Sequence, residues 1–347
     1  MEYTDFVIVV FTSGSTGTPK GVVTTHQNFS SAATYQKGIL NIREGTRVYD
    51  FVSYNFDVSW SNTLQTLICG GCLCIPSEWE RRNDIPGSLN RMNCDYVYFT
   101  PSVARSLHPS SMPGIRTLAM GGEPIRTSDA ERWTQAETII GIYGPAECAQ
   151  ALSFVHLGRS TPNNRVGHSF GANTWLVQPG RPDHLAAIGA VGELLIEGPT
   201  VSKGYFGNEE KTNAAYIQDP KWLVRGGPGV KEGRRGILYK TGDLLSYNSD
   251  GSLNFIGRKD TMIKLRGQRI ELEEVEYHVR ANLTDAGLFD GIAAEIITPQ
   301  NATSALLAVL FSLRRNGPVD SKGENVNTLL TQALEGLEDS LSQCLPQ

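Results

Sequence analysis

At 347 residues, 40% hydrophobic and 19% charged, the chain has an ordinary globular composition and length enough for two domains. A formal net charge of −5, with no Lys/Arg block, provides no basic field for nucleic acid and excludes it as an expected partner. The N-terminus lacks a basic segment followed by an apolar one, and no apolar stretch reaches membrane-span length, so a cytoplasmic chain with no membrane partner is expected.

In chain order, the apolar run 6–11 predicts a strand. Directly behind it stands Thr12-Ser13-Gly14-Ser15-Thr16-Gly17-Thr18-Pro19-Lys20-Gly21, whose glycines, hydroxyls and lysine suit a polyphosphate cradle. It is not a Walker A loop, because Pro19 precedes Lys20 and Gly21 follows it. Taken alone, the same run reads equally well as a flexible turn.

Apolar runs at 47–52, 72–75, 96–100, 117–120 and 138–142 predict strands, with helix-length segments between several of them. That alternation predicts an α/β sheet layered by helices. Cys69-Gly-Gly-Cys72, with Cys74 close by and Cys94 further on, has CxxC spacing but no second ligand pair. Buried, inert thiols are expected at a helix end turning into a short strand. Cys148 and Cys344 complete a set of six that is too irregular for a disulfide framework.

From about residue 175 the texture changes to Gly-punctuated strands at 175–177, 192–197, 236–239 and 253–257, which predict an antiparallel, barrel-like region. The Gly- and Arg-rich stretch 225–235 reads as an exposed loop. After Asp260, strands at 263–265 and 292–298 flank a helix over 272–282 and predict the start of a small α+β domain.

Further signals are weak one at a time. Gly121-Gly122-Glu123-Pro124 follows a strand and would let backbone lie against a flat ligand, or simply turn. Tyr143-Gly144-Pro145-Ala146-Glu147 offers an aromatic face and a carboxylate suited to a hard cation. Tyr239-Lys240-Thr241-Gly242-Asp243 places a carboxylate suited to ribose hydroxyls at a strand end. Gly257-Arg258-Lys259-Asp260 and the charged run 264–271 read equally as a solvated edge strand.

Together, in this order and at these intervals, these stretches resemble the adenylate-forming superfamily, most nearly the amino-acid adenylation domains of fungal-type nonribosomal peptide synthetases. The carrying stretches are FTSGSTGTPKG (11–21), FDVS (56–59), GGEP (121–124), YGPAE (143–147), VGELLIEGPTVSKGYFG (191–207), YKTGDL (239–244) and GRKDTMIKLRGQRIELEEVE (257–276). The resemblance implies a large domain over 1–259, with layered α/β sheets and a barrel-like β region, and an incomplete small α+β domain over 260–347.

It also implies an ATP-dependent ligase of secondary metabolism. An α-amino acid carboxylate would attack the α-phosphate of ATP with Mg²⁺, giving an aminoacyl-adenylate and pyrophosphate. The aminoacyl group would then pass to phosphopantetheine on a separate carrier domain, and carrier and condensation domains would be partners. The resemblance assigns Thr12, Ser13, Gly14, Ser15, Thr16, Gly17 and Lys20 to the phosphates and Glu147 to magnesium. Tyr143, Gly121, Gly122 and Glu123 fall to adenine, Asp243 and Arg258 to ribose, and Asp260 to the hinge; Lys20, Glu147, Asp243 and Arg258 carry catalysis. Asp57 would pair with the substrate ammonium. Val58, Ser61, Tyr98, Leu118, Met120, Ile142, Gln150 and Ala151 would wall a pocket for a neutral, small-to-medium side chain.

Four positions depart from the family pattern: Gly141 in place of an Asn that meets adenine, Ala146 for Thr, Met262 for Gln and Glu273 for Gly. The resemblance further implies an N-terminal segment ahead of the phosphate loop and a C-terminal lysine, whereas the last lysine here is Lys322. A truncated, catalytically impaired nucleotide-binding remnant is thus one alternative. An acyl-CoA or aryl-acid ligase is another, which Asp57 disfavours.

Overall fold

The computed structural model describes residues 2–12, 19–149, 152–158, 161–227, 232–259, 262–265, 268–283, 289–297, 306–313 and 337. Up to the sheet's midpoint the strands are β1 Phe6–Thr12, β2 Lys20–Thr25, β3 Arg47–Tyr49, β4 Cys72–Cys74, β5 Tyr96–Phe99, β6 Thr117–Gly121, β7 Thr138–Tyr143, β8 Ser153–His156 and β9 Arg165–Ser169. Beyond it come β10 Asn173–Gln178, β11 Arg181–Leu185, β12 Gly192–Glu197, β13 Tyr216–Gln218, β14 Ile237–Tyr247, β15 Leu253–Arg258, β16 Met262–Leu265, β17 Gln268–Glu271, β18 Phe289–Ile297 and β19 Leu306–Leu313. The helices are α1 His26–Gln36, α2 Asp57–Ile68, α3 Glu78–Asn83, α4 Ile85–Arg91, α5 Pro101–Ser106, α6 Thr127–Arg132, α7 Glu209–Ala215, α8 Lys221–Arg225 and α9 Leu272–Asn282.

One 13-stranded sheet runs in the order β4-β3-β5-β6-β7-β8-β9-β15-β14-β12-β10-β11, with β13 also on β14. The β4/β3, β3/β5, β5/β6 and β6/β7 pairs are parallel, and helix-bearing crossovers cover both faces of these strands. Coverage on both faces is why β5 and β6 are apolar and buried throughout rather than alternating. From β7/β8 onward the pairs are antiparallel, which the Gly-punctuated texture from about residue 175 predicted for the later strands. Among the described residues these strands do not close into a barrel. Short strands β8, β9 and β15 instead carry the antiparallel half on as an extension of the parallel sheet.

The sheet register divides the core. Tyr98 pairs with Ala119, and Ala119 with Ile140, so these three share a face with Val48, Leu40 and Ile42. Val97, Phe99, Leu118 and Met120 turn to the other face, where they pack with Trp133, Leu89 and Met112. Cys69, Cys74, Cys94 and Cys148 are buried as expected, but Cys72 is exposed because β4 is the edge strand. Cys344 lies outside the described residues.

The chain divides into two compact units, Met1–Phe11 with Lys20–Lys259, and Thr12–Pro19 with Asp260–Gln347. In the second, α9 forms over the span its sequence predicts, and Leu272, Val275, Val279 and Leu283 pack on Phe289 and Ala294 of β18. No helix among the described residues is long and apolar enough to cross a membrane.

Candidate active site

Tyr143 ends β7, the last parallel strand, where the carboxyl ends of such sheets open a ligand crevice. Its hydroxyl donates to Asp243 Oδ2. Arg258 donates to Asp243 Oδ1 at 2.7 Å and to the Thr241 carbonyl at 3.1 Å. Asp243 and Arg258 are cross-strand partners on β14 and β15, and Gly242, at φ 73°, lies within the irregularity that β14 shows against β12 just ahead of Asp243. Burial first, then the Asp243 carboxylate, pushes the Tyr143 phenol well above its ordinary range, so Tyr143 remains the donor. A carboxylate with one donor on each oxygen keeps acceptor capacity for hydroxyl groups.

A second cluster gathers around Glu147, which sits fully buried in a short 3-10 turn at Ala146–Cys148. Lys20, the first residue of β2, brings its Nζ to 3.7 Å from Glu147 Oε1 and donates to the Tyr205 hydroxyl at 3.2 Å. Tyr205 in turn donates to Glu147 Oε1 at 2.7 Å. A buried carboxylate is tolerable only with such partners. The sequence reading assigned no role to Tyr205, although it lies in a quoted stretch. Its signal was the run Lys203-Gly204-Tyr205-Phe206-Gly207, which docks on β2 through the Val22–Tyr205 bridge and a Phe206 N–H bond to the Gly21 carbonyl at 2.7 Å.

Asp57 opens α2, and its Oδ1 accepts from the Val58 N–H at 2.9 Å. It stands close enough to Tyr98 that, after burial, its charge is the next largest cause raising that phenol. Val58 packs against the cluster holding Tyr98 and Ile142, and Ser61 is buried on the same helix. Leu118 and Met120 need correction as pocket walls, since both point to the opposite face of β6, into the core around Trp133. The positions on the Tyr98 face are Ala119 and Gly121; a one-residue slip in a strand exchanges faces. A Cβ on Gly121 would lie 2.2 Å from the Tyr98 hydroxyl oxygen, so Tyr98 rests directly on that glycine.

The Glu123 side chain turns back to the protein, which leaves the backbone of 121–123 as the part of this stretch that could face a ligand. The Glu123 carboxylate accepts from the Ser102 N–H at 2.9 Å and Ser102 Oγ at 2.8 Å, in the first turn of α5. At Gly141 a Cβ would meet Val155 Cγ1 at 2.9 Å and Ile125 Cδ1 at 3.0 Å, so a larger residue there would have to displace these two side chains. Thr12 ends β1 and Gly122 takes φ 84° after β6. Ser13, Gly14, Ser15, Thr16, Gly17, Gln150, Ala151 and Asp260 lie outside the described residues, as do the side chains of Met262 and Glu273.

The donor set fits magnesium in one respect. That ion takes one or two carboxylates and completes its shell with phosphate and water. Glu147 is one such carboxylate, and the described residues hold no group of three His, Cys, Asp or Glu that would form an all-protein cage.

Residues 2–206 match the family model described as AMP-binding enzyme. The chain is 44% identical over 342 residues to nonribosomal peptide synthetase ungA' of Aspergillus campestris, covering 98% of this chain and 4% of that protein. It is 47% identical over 276 residues to peramine synthetase A of Epichloe festucae, covering 79% of this chain and 10% of that protein. It therefore spans a small part of the length of these relatives. Among solved structures, the Vibrio cholerae adenylation domain AlmE, in complex with glycyl-adenosine-5'-phosphate, matches with TM-score 0.74 and 23% identity, covering 88% of this chain and 58% of that one. An artificially fused adenylation–PCP di-domain from Klebsiella oxytoca matches with TM-score 0.75 and 18% identity, covering 100% of this chain and 64% of that one. Both share the fold.

Proposed function

This chain belongs to the AMP-binding enzyme family, and from that premise we propose that it activates an α-amino acid as its aminoacyl-adenylate within a nonribosomal peptide synthetase. The observation that carries the reading is the hydrogen-bonded trio of Tyr143, Asp243 and Arg258, assembled from three strands. It offers a ring and a fixed carboxylate beside the crevice, as a nucleoside requires.

The substrate carboxylate would form an O–P bond to the α-phosphorus of ATP as the bond to pyrophosphate breaks. Lys20 would neutralise phosphate charge, and Glu147 would hold magnesium, which when bound supplies further charge neutralisation to phosphate oxygens. Tyr143 would stack on adenine, and Asp243, braced by Arg258, would accept from ribose hydroxyls. Asp57 would receive the α-ammonium group. Tyr98 seated on Gly121 favours a small-to-medium neutral side chain. Transfer to a phosphopantetheine thiol on a carrier domain, with carrier and condensation domains as partners, would complete the reaction, and relatives named as nonribosomal peptide synthetases support that reading. A hinge at Asp260 between domains 1–259 and 260–347 and a cytoplasmic setting complete the reading.

The test is calorimetric binding of non-hydrolysable aminoacyl-sulfamoyl-adenosines to the wild type and to Asp243→Ala. Expected is saturable binding of at least one analogue, weakened about tenfold or more by the substitution, the usual scale for losing charge-assisted hydrogen bonds. Failure of every analogue to bind the folded wild type would refute the proposal.

A further inference from the structure

We infer that Asp50, Tyr54 and Arg81 form a latch that positions Asp57, an assignment that rests on the reading of Asp57 as the ammonium acceptor. Residues 50–56 connect β3 to α2, and Asp57 is the first residue of that helix. The connection is fastened at its start, where the Asp50 N–H donates to the carbonyl of Cys74, the last residue of β4, at 2.9 Å. It is wound at its end, where the Phe56 N–H donates to the Ser53 carbonyl at 3.0 Å and Ser59 Oγ donates to the Phe56 carbonyl at 2.7 Å.

Between these points Ser53, Tyr54 and Asn55 are exposed. Phe51 and Val52 anchor the stretch before them in the two cores, and what ties back the exposed part is the Tyr54 hydroxyl, which donates to Asp50 Oδ2 at 2.9 Å. The Arg81 guanidinium, reaching from α3, lies 5.3 Å from the Tyr54 ring centroid. Asp50 is fully buried, and among the described residues Tyr54 is the one side-chain donor to its carboxylate. Burial raises the Asp50 carboxyl, and the Tyr54 bond and the Arg81 charge oppose that rise. The bond closes a ring from residue 50 to residue 54. It thereby removes freedom from the chain that delivers Asp57, and misplacement of a charge partner by an ångström is costly in rate or affinity.

The test compares wild type, Tyr54→Phe, Asp50→Leu and the conservative Asp50→Asn, which keeps an acceptor for the Tyr54 hydroxyl. Two readouts are used: steady-state KM values in amino-acid-dependent pyrophosphate exchange, and amide hydrogen exchange across 51–57. Tyr54→Phe and Asp50→Leu are expected to raise the amino-acid KM about tenfold, the scale of a lost bond to a charged group. The ATP KM should stay within about twofold, amide exchange in 51–57 should accelerate, and Asp50→Asn should behave as wild type. The unchanged ATP KM also certifies folding. Wild-type values throughout in Tyr54→Phe, or equal rises in both KM values, would overturn the latch. A folded wild type that activates no amino acid would instead overturn the reading of Asp57 on which the latch rests.

Discussion

Tyr205 links two charges, because its hydroxyl lies between the Lys20 ammonium and the buried Glu147 carboxylate. Tyr205→Phe removes that link and little else. It is expected to cost about 1–3 kcal/mol of stability in chemical denaturation, the penalty for stripping a donor from a buried acceptor, with a fall in adenylation rate. Gly121 gives a second prediction. An Ala Cβ there would lie 2.2 Å from the Tyr98 hydroxyl and 2.6 Å from the Ile142 carbonyl, and the second contact is backbone that cannot swing aside. Gly121→Ala should therefore destabilise by about 1–3 kcal/mol, the range for overpacking. The two faces of β6 can be told apart by function. Tyr98→Ala should shift amino-acid preference toward bulkier side chains, whereas Leu118→Ala should cost about 2–5 kcal/mol of core stability and leave preference unchanged.

At this scale the sequence disclosed residue types better than their directions. Lys20, Glu147, Tyr143, Asp243 and Arg258 were singled out, and the two groupings they form depend on long-range pairing that no local pattern encodes. Motif position alone suggests Leu118 and Met120 as walls, and because β6 is buried on both sides its apolar run carries no alternation that would show their direction. The bond from Ser102 to the Glu123 carboxylate was not legible, because Ser102 sits in a different strand-to-helix connection.

Among the elements, α3 is short and depends on its ends. Ser77 and Glu80 form a capping box, and Glu80 also pairs with Arg91 of α4 at 2.7 Å. The Arg91 hydrogen bond, followed by the bonds from Ser77, lowers the Glu80 carboxyl from 4.5 to about 2. A folded value below the unfolded one means that this stabilisation is present above about pH 4.5 and is lost as the pH falls toward about 2. An acid titration of stability should thus fall more steeply between those values in the wild type than in Glu80→Gln. Strand cores and α9 were legible from continuous apolar runs and helical spacing. β2, β8, β11 and β13 were not, because they are short, partly polar and defined by the strand beside them. The 225–235 stretch held one surprise: Arg234 forks onto Glu197 at 2.8 and 2.6 Å rather than simply facing solvent.

For the whole molecule, the two units have separate cores, and among the described residues the second gathers Leu272, Val275, Val279, Leu283, Phe289 and Ala294. Val279 is fully buried between α9 and the β18–β19 pair. Val279→Ala should cost about 1–3 kcal/mol and accelerate amide exchange in β18 and β19 while leaving β5, β6 and β7 protected. The α/β class was readable from alternating strands and helices. Continuity of the antiparallel half with the parallel sheet was not, because Gly-punctuated strands fit an open extension as well as a closed barrel.

If the Lys20, Asp57 and Asp243 sites serve one reaction, amino-acid-dependent ATP–pyrophosphate exchange over a panel of amino acids will depend on all three. Exchange is expected with at least one neutral amino acid of small-to-medium size. Lys20→Ala should reduce it by about two or more orders of magnitude, the scale of a lost transition-state charge contact, and Asp57→Asn should reduce it through the amino-acid KM. Exchange that is indifferent to the amino acid, or that survives Lys20→Ala undiminished, would contradict a shared reaction.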